Sequence, residues 1–245
     1  LACWSSSTWA HNVAFDLSGV QARAQVLIQD SDADLLGGTP DLQEAARQAV
    51  AQYSKDAASP IIADLVGDGA TYEYALPTGF VDGFSRVLTL EYPAGQRPAA
   101  LLDPAHLEVY RTATTTKLRF VEITPASGET ARVTFTGRHT LKSLDSAAAT
   151  SIPAYHEDAF VTLTAAQAMF LLAAHYLHEQ ENTIAVDTVD RGSRADTANR
   201  IGRGLLASYR DLIGVRAGAA PAATRVHWGS VYAPGVGRLT HGGRR

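Results

Sequence analysis

The chain is short of cysteine, of charge and of long apolar runs, and each shortage narrows what it can be. Cys3 is its single cysteine, so no disulfide can close within the chain and no cysteine-based zinc site can be built. That points to a reducing compartment, or to assembly inside a cell. Charged residues make up 19%, below the roughly 25% usual for soluble domains. The longest apolar run, Phe160 to Leu177, is broken by Thr162, Thr164, Gln167, His175 and Tyr176. A membrane span needs about 20 mostly apolar residues, so none is expected. Leu1 to Ser7 lacks the basic stretch and the apolar run of a secretory signal.

Acidic residues are missing from one region. All 25 lie at or before Asp211, together with 16 of the 21 basic residues, so the body carries −9 and the segment from Arg216 onward +5. An acidic body should not adhere to nucleic acid, whereas a basic tail suits an acidic partner. The plainer alternative for the tail is a solvated end.

What is present suffices for an ordered protein. Of 245 residues, 46% are hydrophobic, enough for one sizeable core or a core with a smaller appended domain. Residues 1–38 mix loop-like Ser5–Thr8 and Gly37–Gly38 with Trp4, Trp9, Phe15, Val20, Val26, Leu27 and Ile28, and are expected to form an arm packed on something. A helix is predicted from Pro40 to Ala58. Thr39 suits its cap, Asp41 and Glu44 its positive end, and Leu42, Ala45, Ala46, Ala49, Val50 and Tyr53 one buried face. Ser59–Pro60 ends it.

Residues 61–141 read as β structure. Gly67–Gly69 and Pro77–Gly79 are turns, and strands are expected at Thr71–Leu76, Arg86–Tyr92, Ala99–Leu102, Leu107–Arg111, Lys117–Ile123 and Thr130–Thr136. In the second of these, Leu88, Leu90 and Tyr92 alternate with Val87, Thr89 and Glu91. Thr124–Gly128 is expected to join the last two strands as a hairpin. This spacing predicts a small sandwich or barrel. A long helix is predicted next over 153–182, with Phe160, Leu163, Met169, Phe170, Leu172, Ala173, Tyr176 and Leu177 as its apolar face. A last helix is predicted over 194–213, capped by Ser193, striped by Ala198, Ile201, Leu205, Tyr209, Leu212 and Ile213, and stopped by Gly214.

The expected fold class is therefore α+β: a helical bundle of about three helices with an inserted small antiparallel β domain, an extended N-terminal arm and a C-terminal tail. The boundaries are 1–38 for the arm, 39–60 and 150–215 for the helical core, 61–149 for the β domain, and 216–245 for the extended basic tail.

Motifs that carry chemistry are weak. His175 and His178 stand three apart beside Glu179, but the zincin pattern needs a spacing of four with the glutamate between. Gly202-Arg203-Gly204 lies inside a predicted helix and comes after no strand, so close helix packing is the better reading than a phosphate loop. Gly67-Asp68-Gly69 lacks the further oxygen ligands of a calcium loop. Asp103 and His106 have no serine at a meaningful spacing, and nothing activates Cys3. No catalytic residue, metal or cofactor is expected. In the tail, Val226, Trp228, Val231 and Tyr232 are costly to leave in water, so Trp228, Tyr232 and the arginines are read as anchors for a partner.

Ile62–Gly69 (IADLVGDG), Tyr74–Phe80 (YALPTGF) and Phe84–Pro93 (FSRVLTLEYP) resemble head-to-tail adaptor, or connector, proteins of tailed bacteriophages. Leu118–Phe120, Pro125–Glu129 and Ala173–Tyr176 carry the same resemblance, which spans about residues 39–215. It implies a non-enzymatic virion protein at the head–tail junction, assembled in the host cytoplasm. It implies a ring, usually of twelve copies, beneath the portal protein and above the tail or a second neck protein. The helical core would form the ring wall, and the acidic body would let genomic DNA pass the lumen without specific binding. The C-terminal segment would grip the portal, which assigns portal binding to Arg216, Arg225, Trp228, Tyr232, Arg238, Arg244 and Arg245. Two competing readings are a small hydrolase, whose activity would depend on His175 or His178, and a nucleic-acid-binding module acting through the basic tail.

Overall fold

The computed structural model describes residues 15–29, 39–180 and 188–214. Among these residues, four helices and seven strands make a mixed α+β protein. α1 is Leu17–Ile28 and α2 is Thr39–Asp56. The strands are β1 Ser59–Val66, β2 Glu73–Ala75, β3 Val87–Glu91, β4 Leu101–Leu102, β5 Leu107–Arg111, β6 Thr116–Phe120 and β7 Thr130–Gly137. The last two helices are α3 Glu157–Gln180 and α4 Thr188–Leu212.

α1 corrects the expected arm. Asp16 accepts from the Gly19 amide at 2.9 Å and caps the helix. The buried positions are Gly19, Val20 and Ala24, and Val20 and Ala24 with Leu17 and Ile28 packed beside them keep a helical spacing. Val26, one of the apolar residues that suggested an arm, is 74% exposed. The stripe is hard to read in the sequence because two of the three buried positions, Gly19 and Ala24, are small. The rest of 1–38 lies outside the described residues.

The predicted face of α2 is observed: Leu42, Ala45, Ala46, Ala49 and Tyr53 are buried. They meet Phe160, Leu163, Leu172 and Ala173 of α3 and Ala198 and Tyr209 of α4. Ala154–His178 is long and apolar enough to cross a membrane by length and composition, yet more than half of it is buried inside the protein. Its interrupting hydroxyls stay within the helix: buried Thr164 donates to the Phe160 carbonyl at 3.0 Å. α4 begins at Thr188, so Ser193 stands inside it and is not its cap. Gly214, at φ +71°, ends it as expected. On the α4 stripe, Ala198 and Tyr209 are buried but Ile201 and Leu212 are exposed. Gly202 takes the inward position: a Cβ there would lie 2.8 Å from the Phe170 ring, so α3 and α4 approach closely. Gly204 has nothing within 4 Å, and close packing does not explain it.

The strands form two antiparallel sheets, ordered β1-β7-β3-β4 and β2-β6-β5. Leu65, Leu90, Val133 and Phe135 of the first share a core with Leu107, Leu118 and Phe120 of the second. β6 and β7 therefore lie in different sheets and do not form the expected hairpin. The segment between them crosses over and is fastened to the Gly67–Gly69 turn: Gly67 N bonds Glu129 O, Gly69 N bonds Pro125 O, and Gly128 N bonds Gly67 O, at 2.8–3.1 Å. β3 departs from simple alternation. Its pairing with β7 slips between Val87 and Thr89, so both Val87 and Leu90 pack on the core while Leu88 is exposed. One extra residue in a strand reverses the facing of the residues beyond it. Similarly Tyr74 and Leu76 pack on the core, but Tyr72 is exposed.

Candidate functional site

The seven tail residues expected to bind a portal, Arg216, Arg225, Trp228, Tyr232, Arg238, Arg244 and Arg245, lie outside the described residues, as does Cys3. The other sequence candidates are in view and are not brought together. His175 and His178 are exposed on α3. Asp103 caps the short 3₁₀ turn Pro104–His106 by accepting from the Ala105 amide at 2.9 Å, and His106 Nδ1 stands 3.8 Å from Glu122. Asp68 spends its carboxylate inside its own turn, on the Ala70 and Thr71 amides at 2.9 and 2.6 Å and on the Thr71 hydroxyl. Those donors stabilise its anion and hold its pKa at about 2. Among the described residues no group of three or more His, Cys, Asp or Glu is placed to hold a metal ion.

The densest polar arrangement is one that sequence reasoning missed. It sits where α2 ends, β7 ends and α3 begins. Tyr53 is buried and its Oη lies 2.6 Å from His156 Nδ1. The His139 ring lies 4.8 Å from the Tyr53 ring. His139 Nε2 lies 2.6 Å from the Ala57 carbonyl and so donates to it. Its Nδ1 lies 3.0 Å from Ser151 Oγ, which itself accepts from the Thr140 amide. The His139 amide donates to Ser54 Oγ at 2.9 Å, and Ser54 Oγ donates to the Val50 carbonyl. Across the same joint, Tyr209 Oη donates to Asp56 Oδ2 at 2.9 Å. These bonds tie α2, α4, the end of β7 and the entry to α3 into one unit. Residues 53, 139, 156 and 209 carry no shared local pattern, so no spacing could have announced them.

Burial sets the protonation of this joint. It holds His139 below its ordinary 6.5, against the pull of the Ala57 and Ser151 carbonyls, which favour the charged ring. It also lowers His156, with the neighbouring His139 acting the same way, and it pushes Tyr53 up to about 12. Both rings are therefore neutral in the folded protein where an unfolded chain already binds protons. Such a group lends stability in full above 6.5 and loses it as the pH falls toward the lowered folded value. We expect the urea midpoint to be flat from about pH 8 to 7 and to fall below about 6.5, before carboxylates titrate near pH 4. His139→Gln should flatten that fall; a wild-type midpoint unchanged down to about pH 5 would contradict this account.

Matched against models of known protein families and against curated proteins, the chain finds no match.

A second feature lies at the far end of the helices. Met169, Leu172 and Tyr176 of α3 and Arg194, Thr197, Ala198 and Ile201 of α4 line an open groove of about 220 Å³. Its walls are mainly apolar and hold no nucleophile with a base beside it, so the groove is shaped for packing and not for bond-making. Midway along α2, Arg47 takes Asp145 through Nε and Nη2, the latter at 2.7 Å. Ser143, Asp145 and Ser146 all have positive φ, 69°, 48° and 65°, a conformation that costs non-glycine residues energy; backbone bonds of 2.9 Å from Ser143 N to Ala147 O and from Ala147 N to Leu144 O close this turn, and Arg47 engages its Asp145.

Proposed function

We propose that this chain is a structural, non-enzymatic component of a tailed phage particle, an adaptor that forms a ring between the portal vertex and the tail. The observation that carries the reading is how the β sheets are set into the helices. β1 leaves the end of α2, β7 returns toward α3, and the two are paired along eight residues from Ser59↔Gly137 to Val66↔Thr130. In this reading α2, α3 and α4, with α1 beside them, are a helical bundle, and the two sheets are a domain inserted between α2 and α3 on that paired stem. A helical core of this kind is what the resemblance to connector proteins assigns to the ring wall.

Further support comes from how polar groups are used. His139, His156, Asp56, Asp68 and Asp103 are each engaged in a cap, a turn or the joint. In this proposal the helices form the ring wall, usually in twelve copies. DNA passes the acidic body without specific binding, and the tail with Arg216, Arg225, Trp228, Tyr232, Arg238, Arg244 and Arg245 grips the portal while another face meets the tail or a second neck protein. The test is to mix the full chain with the portal protein of its own phage and image the product by electron microscopy. Stacked rings are expected. Removing residues 216–245 should leave the helical circular dichroism unchanged and weaken portal binding more than tenfold. Retained binding would reject the tail as the anchor, and no complex with the full chain would reject the adaptor.

A further inference from the structure

The C-terminal segment leaves the folded body beside the root of an open sheet edge. Tyr209 of α4 bonds Asp56, the last residue of α2, and β1 begins three residues later at Ser59. Gly214, the last described residue of that segment, is five residues past Tyr209, about 8 Å at helical rise. β1 is an edge strand whose neighbour in the sheet is β7 alone. Its backbone makes no other backbone hydrogen bond among the described residues.

That edge is long and apolar. Its eight residues span about 26 Å. Ile62 and Val66 on its outer face are 63% and 64% exposed. Asp64 stands between them, but Arg132 of β7 holds its carboxylate in two hydrogen bonds of 2.8 and 3.0 Å. Native proteins shorten, charge or cover such edges, because unpaired backbone groups beside apolar side chains accept any passing strand.

The sequence of the tail offers a matching run. Thr224–Tyr232 (TRVHWGSVY) is rich in β-branched and aromatic residues, with Val226, Trp228 and Tyr232 at even spacing on one face. Its nine residues fit the eight of β1. The ten steps from Gly214 to Thr224 reach up to about 33 Å. The tail is +5 and the body −9, so the two attract.

We propose that residues 224–232 add to the free edge of β1 in the same molecule as a fifth strand of that sheet, laying Trp228 and Tyr232, four residues apart, beside Ile62 and Val66, also four apart. Backbone bonds hold the strand and the apolar pairs set its facing. The short connection raises its effective concentration to the millimolar range. Strand addition is independent of the adaptor reading, and it makes the tail available to any partner only on release from β1.

The test is amide hydrogen exchange, read residue by residue by NMR over Ile61–Val66. It compares the full chain with the full-length double variants Val226→Pro/His227→Pro and His227→Pro/Trp228→Pro, each of which removes a donor from both edges of the tail strand, the edge facing β1 included, without touching the described body. In the wild type, the β1 amides that point away from β7 should exchange at least tenfold more slowly than in either variant, at every protein concentration. Equal exchange in all three chains would overturn the proposal. So would protection that grows with concentration, since the tail would then pair with another copy.

Discussion

Tyr53→Ala is expected to cost about 3–5 kcal/mol of stability, the range for emptying a fully buried aromatic site. Tyr53 is wholly buried at the centre of the helical core, against Phe160 at 5.9 Å, His139 at 4.8 Å and His156 at 5.8 Å between ring centres. Its loss opens a cavity where α2, α3 and α4 converge, and leaves His156 Nδ1 without its hydrogen-bond partner. Tyr53→Phe keeps the ring and removes only that bond, and should cost about 1–3 kcal/mol. Urea unfolding of the three chains separates the two terms. Since a whole domain holds only about 5–15 kcal/mol, the alanine chain should be partly unfolded at 37 °C. Equal midpoints for alanine and phenylalanine would mean that packing contributes nothing here, against the burial observed.

Gly67→Ala is the second large effect, near the upper end of the roughly 1–3 kcal/mol of overpacking. A Cβ at Gly67 would lie 2.4 Å from the Ala126 carbonyl oxygen and 2.6 Å from that of Pro125. Both are backbone atoms of the segment that crosses from one sheet to the other, and Pro125 is itself buried, so neither can swing aside as a side chain would. Relief requires breaking the bonds between Gly67 and residues 128 and 129, which fasten the crossing segment to the Gly67–Gly69 turn beside the core shared by the two sheets. Gly204→Ala is the control. Its Cβ meets nothing within 4 Å, and alanine in a helix should stabilise by up to about 1 kcal/mol. A thermal melt of Gly67→Ala within about 1 °C of the wild type would show that this fastening does not stabilise the fold.

Much of the helical layer was legible because its signals are local. The stripe Leu42, Ala45, Ala46, Ala49, Tyr53 repeats at the helical period, Gly214 supplies the left-handed stop, and Phe160, Leu163, Leu172 and Ala173 mark one face of α3. Two small inward residues outside such a stripe were not read: α1 turns Ala24 inward, and α4 turns Gly202 inward in place of Ile201. Small residues are weak in any hydrophobic count yet strong where backbones approach closely. Six of the seven described strand positions were also legible, since runs rich in β-branched and aromatic residues stand between turn residues; β1 was not, because it follows α2 almost directly and carries Pro60 and Asp64 in its run. Their pairing was not, because hydrogen bonding between strands leaves no trace along one strand.

Sequence by itself determined three things about this protein: the mixed α+β content, the helix–strand–helix order, and the separation of an acidic body from a basic tail. Each is a property of neighbouring residues or of a simple count. Tertiary structure alone decided that β6 and β7 part into different sheets, that a bulge at Leu88 reverses the facing of β3, that β1 is left as an open edge, and that Tyr53, His139, His156 and Tyr209 meet at one joint. The physical reason is that these features are contacts between residues far apart along the chain, from Val87 with Phe135 to Asp56 with Tyr209. Such contacts form only after chain entropy has been spent on closing long loops, and what selects among the possible closures is the summed burial of the whole core.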